Sequence, residues 1–147
     1  TDRDAIVELF ADDLSQQRID FDRVELGAVF DVLIASSQTI ILVARIEAGG
    51  RAIGVLTAND FTSVKSGGRS LWIEQLYVHH EARRKGIGRA LVVELLDLAL
   101  DKGIRGIDLE AYHGNAAAGL LYRSLGFRRL GRERFNFHFD WDDELEP

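Results

Sequence analysis

The stretch Arg83-Arg84-Lys85-Gly86-Ile87-Gly88 constrains this chain more than any other. It stands between the strand-like Leu76-Tyr77-Val78 and an apolar run that opens Ala90-Leu91-Val92-Val93. Three cations and two glycines are poor helix material, and good helix material follows at once. The first amides of a helix have no partner inside it, and the helix dipole makes that end electropositive. Glycines let a bound group come close to the backbone. A strand, a glycine turn and a helix start in this order make an anion site, most naturally for phosphate. The plain alternative is a tight strand-to-helix turn with no ligand.

Two familiar phosphate loops fit poorly. A Walker A loop needs Gly-Lys-Ser/Thr after four spacers, and the chain has none. The dinucleotide fingerprint needs a third small residue where Leu91 stands, and a shorter turn than His79–Lys85.

The surrounding pattern predicts helices and strands in alternation. Thr1 and Asp4 read as a helix start, with Ile6, Leu9, Phe10 and Leu14 at helical spacing. A second helix is expected over Phe21–Ile34, with Val24, Ala28, Val29, Val32 and Leu33 on its apolar face. Thr39–Ile46, Ala52–Phe61 and Ser70–Val78 are rich in β-branched and aromatic residues and read as a three-strand meander. The glycine helix should end near Lys102-Gly103. A strand over Gly106–Tyr112, a helix over Asn115–Leu125 and two tail strands over Phe127–Asp140 complete the order. This is α/β or α+β with a mixed sheet, in one domain spanning 1–147. The unit from Ser70 to Tyr112 should be a right-handed parallel crossover.

Composition excludes several classes. The chain has no cysteine, so disulfides, thiolate metal sites and a cysteine nucleophile are closed to it. Its formal net charge of −6 is the wrong sign for a duplex nucleic acid. No apolar run approaches membrane-spanning length, and no secretory pattern opens the sequence, so a cytoplasmic protein with no membrane partner is expected. His79, His80, His113 and His138 have no zinc-pair spacing with a further ligand, so no metal is expected.

A third glycine pattern does fit. Arg83-x-x-Gly86-x-Gly88, after a strand ending Leu76-Tyr77-Val78, resembles the acetyl-CoA loop of the GNAT superfamily of N-acetyltransferases. Asn115-Ala-Ala-Ala-Gly-Leu-Leu-Tyr122-Arg-Ser-Leu-Gly126-Phe127 resembles that family's Asn-x-x-Ala-x-x-x-Tyr-x-x-x-Gly-Phe segment. Two motifs in the right order are far more specific than either alone. The resemblance covers Thr39 to Asp140 well and the first two helices loosely. It implies a single α/β domain whose mixed sheet splays between the fourth and fifth family strands. The family begins with a strand before its first helix. This sequence starts at the helix cap, so that strand is expected to be missing or trimmed away, which should expose a sheet edge.

Carried over residue by residue, the resemblance implies acetyl-CoA as acetyl donor. The main chain of Leu76, Tyr77 and Val78 would pair with its pantetheine arm. The amides from Arg84 through Lys85, Gly86, Ile87 and Gly88 to Arg89 would hold the pyrophosphate. The side chains of Arg83, Arg84 and Lys85 would support the phosphates, including the nucleotide 3′-phosphate. Asn115 would hydrogen-bond the cofactor, and it is equally a good helix N-cap.

Acetyl transfer needs a neutral amine, a polarised thioester and a proton for the departing thiolate. Glu74 is the candidate base. On ideal alternation it shares a face with Trp72, Leu76 and Val78, where burial would raise its pKa. The other reading is a strand-end glutamate at a bulge, facing solvent. Several small-amine acetyltransferases of the family carry Glu at this place, and the resemblance favours the base. Tyr122, two helical turns after Asn115, is the candidate acid; otherwise it is a tyrosine packed on the core. Direct attack in a ternary complex is the simplest route.

The expected acceptor is the primary amine of a small cationic molecule such as a polyamine, diamine or aminoglycoside. Asp12, Asp13, Asp20, Asp22 and Glu25 hint at a polycation, although a charged helix surface would look the same. A lysine side chain or N-terminus of a protein is the alternative acceptor, and a non-catalytic acyl-CoA-binding module the alternative class. A homodimer is the expected assembly.

Overall fold

Helix α1 (Asp2–Gln16) carries Ile6, Leu9 and Phe10 on one side, and all three are buried. A computed structural model describes residues 2–111 and 115–139. Residue 1, expected as the cap of α1, and Tyr112 and His113 lie outside the described residues. Helix α2 (Arg23–Ala35) starts where Asp22 accepts from the amides of Val24 and Glu25, at 2.8 and 3.1 Å. Strands β1 (Thr39–Ala44), β2 (Gly54–Ser63) and β3 (Gly68–Val78) follow, then a 3-10 turn at His80–Ala82. Helix α3 (Ile87–Asp101), strand β4 (Gly106–Leu109) and helix α4 (Ala116–Ser124) complete the order. Residues 1–115 form one compact unit and 116–147 another.

The sheet order is β1-β2-β3-β4, antiparallel except for the parallel pair β3–β4, so the sheet is mixed as expected. Among the described residues β1 and β4 are its edges. Successive side chains of a strand point to opposite faces. Val55 and Tyr77, register partners, join Ile6, Leu9, Phe10, Phe30 and Ala52 in a core beneath α1 and α2. Gly54 and Leu56 point the other way, to α3. A Cβ on Gly54 would stand 3.2 Å from Ile87 Cγ2 and 3.3 Å from Leu91 Cδ1, so α3 lies directly on β2 there. Helix α3 buries Leu91, Val92, Leu95 and Ala99.

Two expectations are corrected. The apolar face of α2 is not Val24, Val29 and Val32, which are 83%, 49% and 69% exposed. Phe30 is buried instead, its ring 6.3 Å from that of Phe10, with Leu26 and Leu33 beside it. Val24 to Ala35 is apolar nearly all round, and the larger aromatic side chain takes the inward position because it removes more area from water. The tail is the second correction. No strand forms in the described residues 127–139, and Phe135, Phe137 and Phe139 are exposed. Their alternation suits a strand, but a two-stranded ribbon alone is marginal in water.

Candidate active site

Three features of β3 and its surroundings build the site in residues 1–115. The first is the start of α3. Gly86 is the N-cap in the left-handed region, φ 76° and ψ 15°, and no side chain caps the helix. The helical ladder begins with Ala90 N–H donating to Gly86 O at 3.0 Å. A Cβ built on Gly86 would meet nothing within 4 Å, so the space beside the cap is open. Arg84 is also left-handed, φ 65°, which is unusual for a side-chain-bearing residue. The chain thus turns sharply twice within three residues and aims the helix start outward. Arg84, Lys85 and Arg89 are exposed around it.

Arg83 goes elsewhere. Its Nε donates to Val78 O at 3.1 Å, its Nη2 donates to Gln16 Oε1 at 2.7 Å, and its guanidinium lies 5.4 Å from the centre of the Tyr77 ring. It joins the end of β3 to the end of α1.

The second feature is an open strand edge. The parallel ladder between β3 and β4 stops at Ile73↔Leu109, while β3 runs on to Val78. Leu76, Tyr77 and Val78 pair with Leu56, Val55 and Gly54 on one side only, among the described residues. An uncapped helix start beside an open strand edge fits an elongated ligand with anionic groups at one end and amides along its arm. Acyl-CoA is such a molecule, so the residues present fit the donor that the sequence implies.

The third feature is a bulge. The β2–β3 register passes from Thr57↔Gln75 to Ala58↔Ile73, leaving Glu74 as the extra residue. The expected alternation therefore fails at Glu74. Trp72, Gln75 and Tyr77 pair with Asn59, Thr57 and Val55 on the α1 face, whereas Leu76 and Val78 pair with Leu56 and Gly54 on the α3 face. Glu74 has no register partner on β2, so alternation does not assign it to the face of Leu76 and Val78, and it is exposed. The burial on which that reading rested is absent.

Beside it lies a residue that sequence reasoning left among the surface acids. Asp13 is buried, only 8% exposed, on the side of α1 that faces the bulge. Its Oδ1 accepts from Gln17 Nε2 at 2.9 Å and its Oδ2 from Gln75 Nε2 at 3.1 Å. Burial pushes its carboxyl up from the ordinary 3.8; the two amides oppose that rise, and the Glu74 charge adds to it. The signal was present: Asp13 follows Ile6, Leu9 and Phe10 at helical spacing and so occupies a core position. Asp22 is also corrected, since its carboxylate caps α2. Burial likewise raises the Tyr77 hydroxyl, against the neighbouring Arg83.

Asn115 is exposed and directly precedes α4. Tyr122 lies on α4 in the second unit, half-buried, its ring 5.8 Å from that of Phe127 in an edge-on contact. His79 and His80 stack at 4.4 Å, and His79 Nδ1 accepts from the Glu81 amide at 3.2 Å. Among the described residues no group of three or more His, Asp or Glu could hold a metal ion, and no helix is long and apolar enough to cross a membrane.

Comparison with known proteins bears on this geometry. A family model described as the acetyltransferase (GNAT) family matches residues 4–127. Thialysine N-epsilon-acetyltransferase of Sus scrofa is 38% identical over 63 residues, which are 43% of this chain and 37% of that protein. N-acetyltransferase family 8 member 2 of Rattus norvegicus is 32% identical over 85 residues, 58% of this chain and 38% of that protein. The match thus spans less than two fifths of the length of these curated relatives. A transcriptional regulator from Bacillus halodurans C-125 superposes with a TM-score of 0.80 at 25% identity, covering 94% of this chain and 93% of that one.

Proposed function

The chain belongs to the acetyltransferase (GNAT) family, and from that premise we propose that it moves an acetyl group from acetyl-CoA to a primary amine of a small cationic molecule, of polyamine, diamine or aminoglycoside type. The observation that carries the donor side is the uncapped Gly86 start of α3 set beside the unpaired edge of Leu76–Val78. On the acceptor side, the exposed carboxylate of Glu74 and the buried carboxylate of Asp13 lie together at the bulge, with Asp12 next along α1. Negative charge on one face favours a cationic acceptor. A relative whose name specifies the ε-nitrogen of thialysine supports an alkyl amine as the nucleophile.

Acetyl-CoA supplies an activated acyl group. The chain's own residues do the rest. Main-chain groups of Leu76, Tyr77 and Val78 orient the arm of the donor, and the amides from Arg84 to Arg89 hold its pyrophosphate, with Asn115 as a further polar contact. An alkyl amine is protonated near neutral pH and cannot attack until it loses that proton. Glu74 accepts it, directly or through one water. The new C–N bond forms as the C–S bond breaks, and the sulfur takes a proton. Tyr122 is assigned as that proton's source from its place in the Asn115–Phe127 segment.

An amine-library screen with acetyl-CoA, following thiol release, tests the reading. Turnover with one or more small di- or polyamines is the expected result. Turnover with peptides only would move the acceptor to protein amines. Acetyl-CoA binding with no thiol release from any amine would make the chain a binding module.

A further inference from the structure

Glu74 sits where both ladders of β3 let go. The β2 ladder skips it, and the β4 ladder has ended one residue earlier, at Ile73↔Leu109. A bulge residue exposed to water and free of strand pairing has little to hold its side chain in one place. Something else must hold it if it is to take a proton from a bound amine, because catalytic geometry tolerates little slack.

We propose that Asp13 is a positioning residue for Glu74, acting through Gln75. This rests on the reading of Glu74 as the base. Helix α1 is anchored in the core by Ile6, Leu9 and Phe10. Asp13 projects from that anchored face, and Gln17 fixes one of its oxygens from one turn on. The other oxygen accepts from the Gln75 side chain, the residue directly after Glu74 and the first to rejoin the β2 ladder. The link therefore runs from the core through α1 to Asp13, then Gln75, then the bulge. Its hydrogen bond spans 62 residues of sequence and is part-buried, with Asp13 the buried end and Gln75 the half-buried one. The groups around Asp13 are Gln17 and Asp12 on its own helix and Glu74, Gln75 and Tyr77 on β3, with Arg83 beyond Tyr77. Its direct hydrogen-bond partners are two neutral amides. A carboxylate is costly to bury, yet here it serves as a double acceptor with no cation to satisfy.

Hydrogen exchange of the Glu74 and Gln75 amides reads the link without any substrate. Asp13→Ala should raise exchange there about tenfold, the worth of one hydrogen bond, and leave the centre of β2 unchanged. Asp13→Asn keeps one of the two acceptors, and with its carbonyl turned to Gln75 it should restore much of the protection. Gln75→Ala cuts the same link from its half-buried end and should reproduce the Asp13→Ala pattern, which covers the case of an unstable Asp13→Ala. Kinetics then use the best amine from the library. Asp13→Ala should lower kcat about ten- to a hundredfold, with the KM for acetyl-CoA unchanged. In a Glu74→Gln background the same substitution should change kcat less than about twofold, since nothing is left to position. Unchanged exchange at residues 74 and 75, or effects of Asp13→Ala and Glu74→Gln that multiply, would overturn the proposal. An undiminished rate for Glu74→Gln alone would instead sink the base assignment, with the exchange result still standing for the link.

Discussion

Gly86→Ala separates the conformational demand of the phosphate loop from any steric one. The new methyl would find no atom within 4 Å, so a clash contributes nothing. What remains is φ 76°, ψ 15°. Holding an L-residue there costs about 1–2 kcal/mol. Alanine also stiffens the unfolded chain, which returns about 0.4–1 kcal/mol. The net penalty is about 1 kcal/mol, and it can appear in two places. If the loop keeps its shape, the penalty appears in folding, and the urea midpoint falls with an unchanged m-value. If the loop relaxes, folding is spared, the amides turn away from the ligand, and affinity for CoA falls about fivefold. Urea melts and titration calorimetry with CoA, run on the same preparation, should together account for the whole. Gly86→Asn is the control, because asparagine tolerates the left-handed region and should recover much of the loss. If Gly86→Ala changed neither quantity, the left-handed cap would not be what the glycine supplies, and the argument for a preformed anion site would lose its main support.

Glu74→Gln keeps shape and removes proton acceptance; the rate with the best amine should fall about a hundred- to ten-thousandfold, and the rising pH limb of kcat/KM should flatten if Glu74 sets it. Undiminished activity with an unchanged profile would take Glu74 out of the mechanism. Asp13 makes a prediction about stability. Burial raises its carboxyl in the folded state above the ordinary 3.8, so its contribution is fullest below that value and is lost as pH rises through the folded one. Asp13→Asn should therefore lose less stability than wild type as pH rises above 3.8, and parallel stability curves would refute the upward shift. Thr57 is 1% exposed, and its hydroxyl is the one buried side-chain oxygen without a hydrogen-bond partner among the described residues. Thr57→Val should be neutral or stabilising by up to about 1–3 kcal/mol in urea melts; a loss of that size would mean the hydroxyl has a partner after all.

Element order was readable because each element had its own period and punctuation. Glycine follows α3 at Gly103, with φ 71°, a signal that belongs to a single residue. The glycine loop was readable for the same reason. What escaped depended on partners distant in sequence. For Glu74 the sequence left two readings open, a face set by strict alternation and a solvent-facing bulge, and only the register with β2 decides for the bulge. Asp13 was read as surface although its spacing put it at a core position, because Gln75, which satisfies a carboxylate buried there, comes from another element. The face of α2 was misjudged because a helix apolar on all sides does not say which side turns in; the Phe10 ring settles that in space.

The bulge has a consequence for how β3 tolerates change. Upstream of Glu74, Trp72 and Ile73 point to opposite faces; downstream, Gln75 and Leu76 do the same, in the same order. The two halves of the strand are thus in phase with each other only if Glu74 is not counted. Removing it would join Ile73 to Gln75 in a regular ladder, with every remaining side chain on its present face and the buried core unmoved. A one-residue deletion normally turns half a strand inside out. Here it would leave the sheet whole, so the residue assigned to the chemistry is the one residue of β3 that the architecture could do without. Shortened β3 should therefore fold, and its failure would be confined to acetyl transfer.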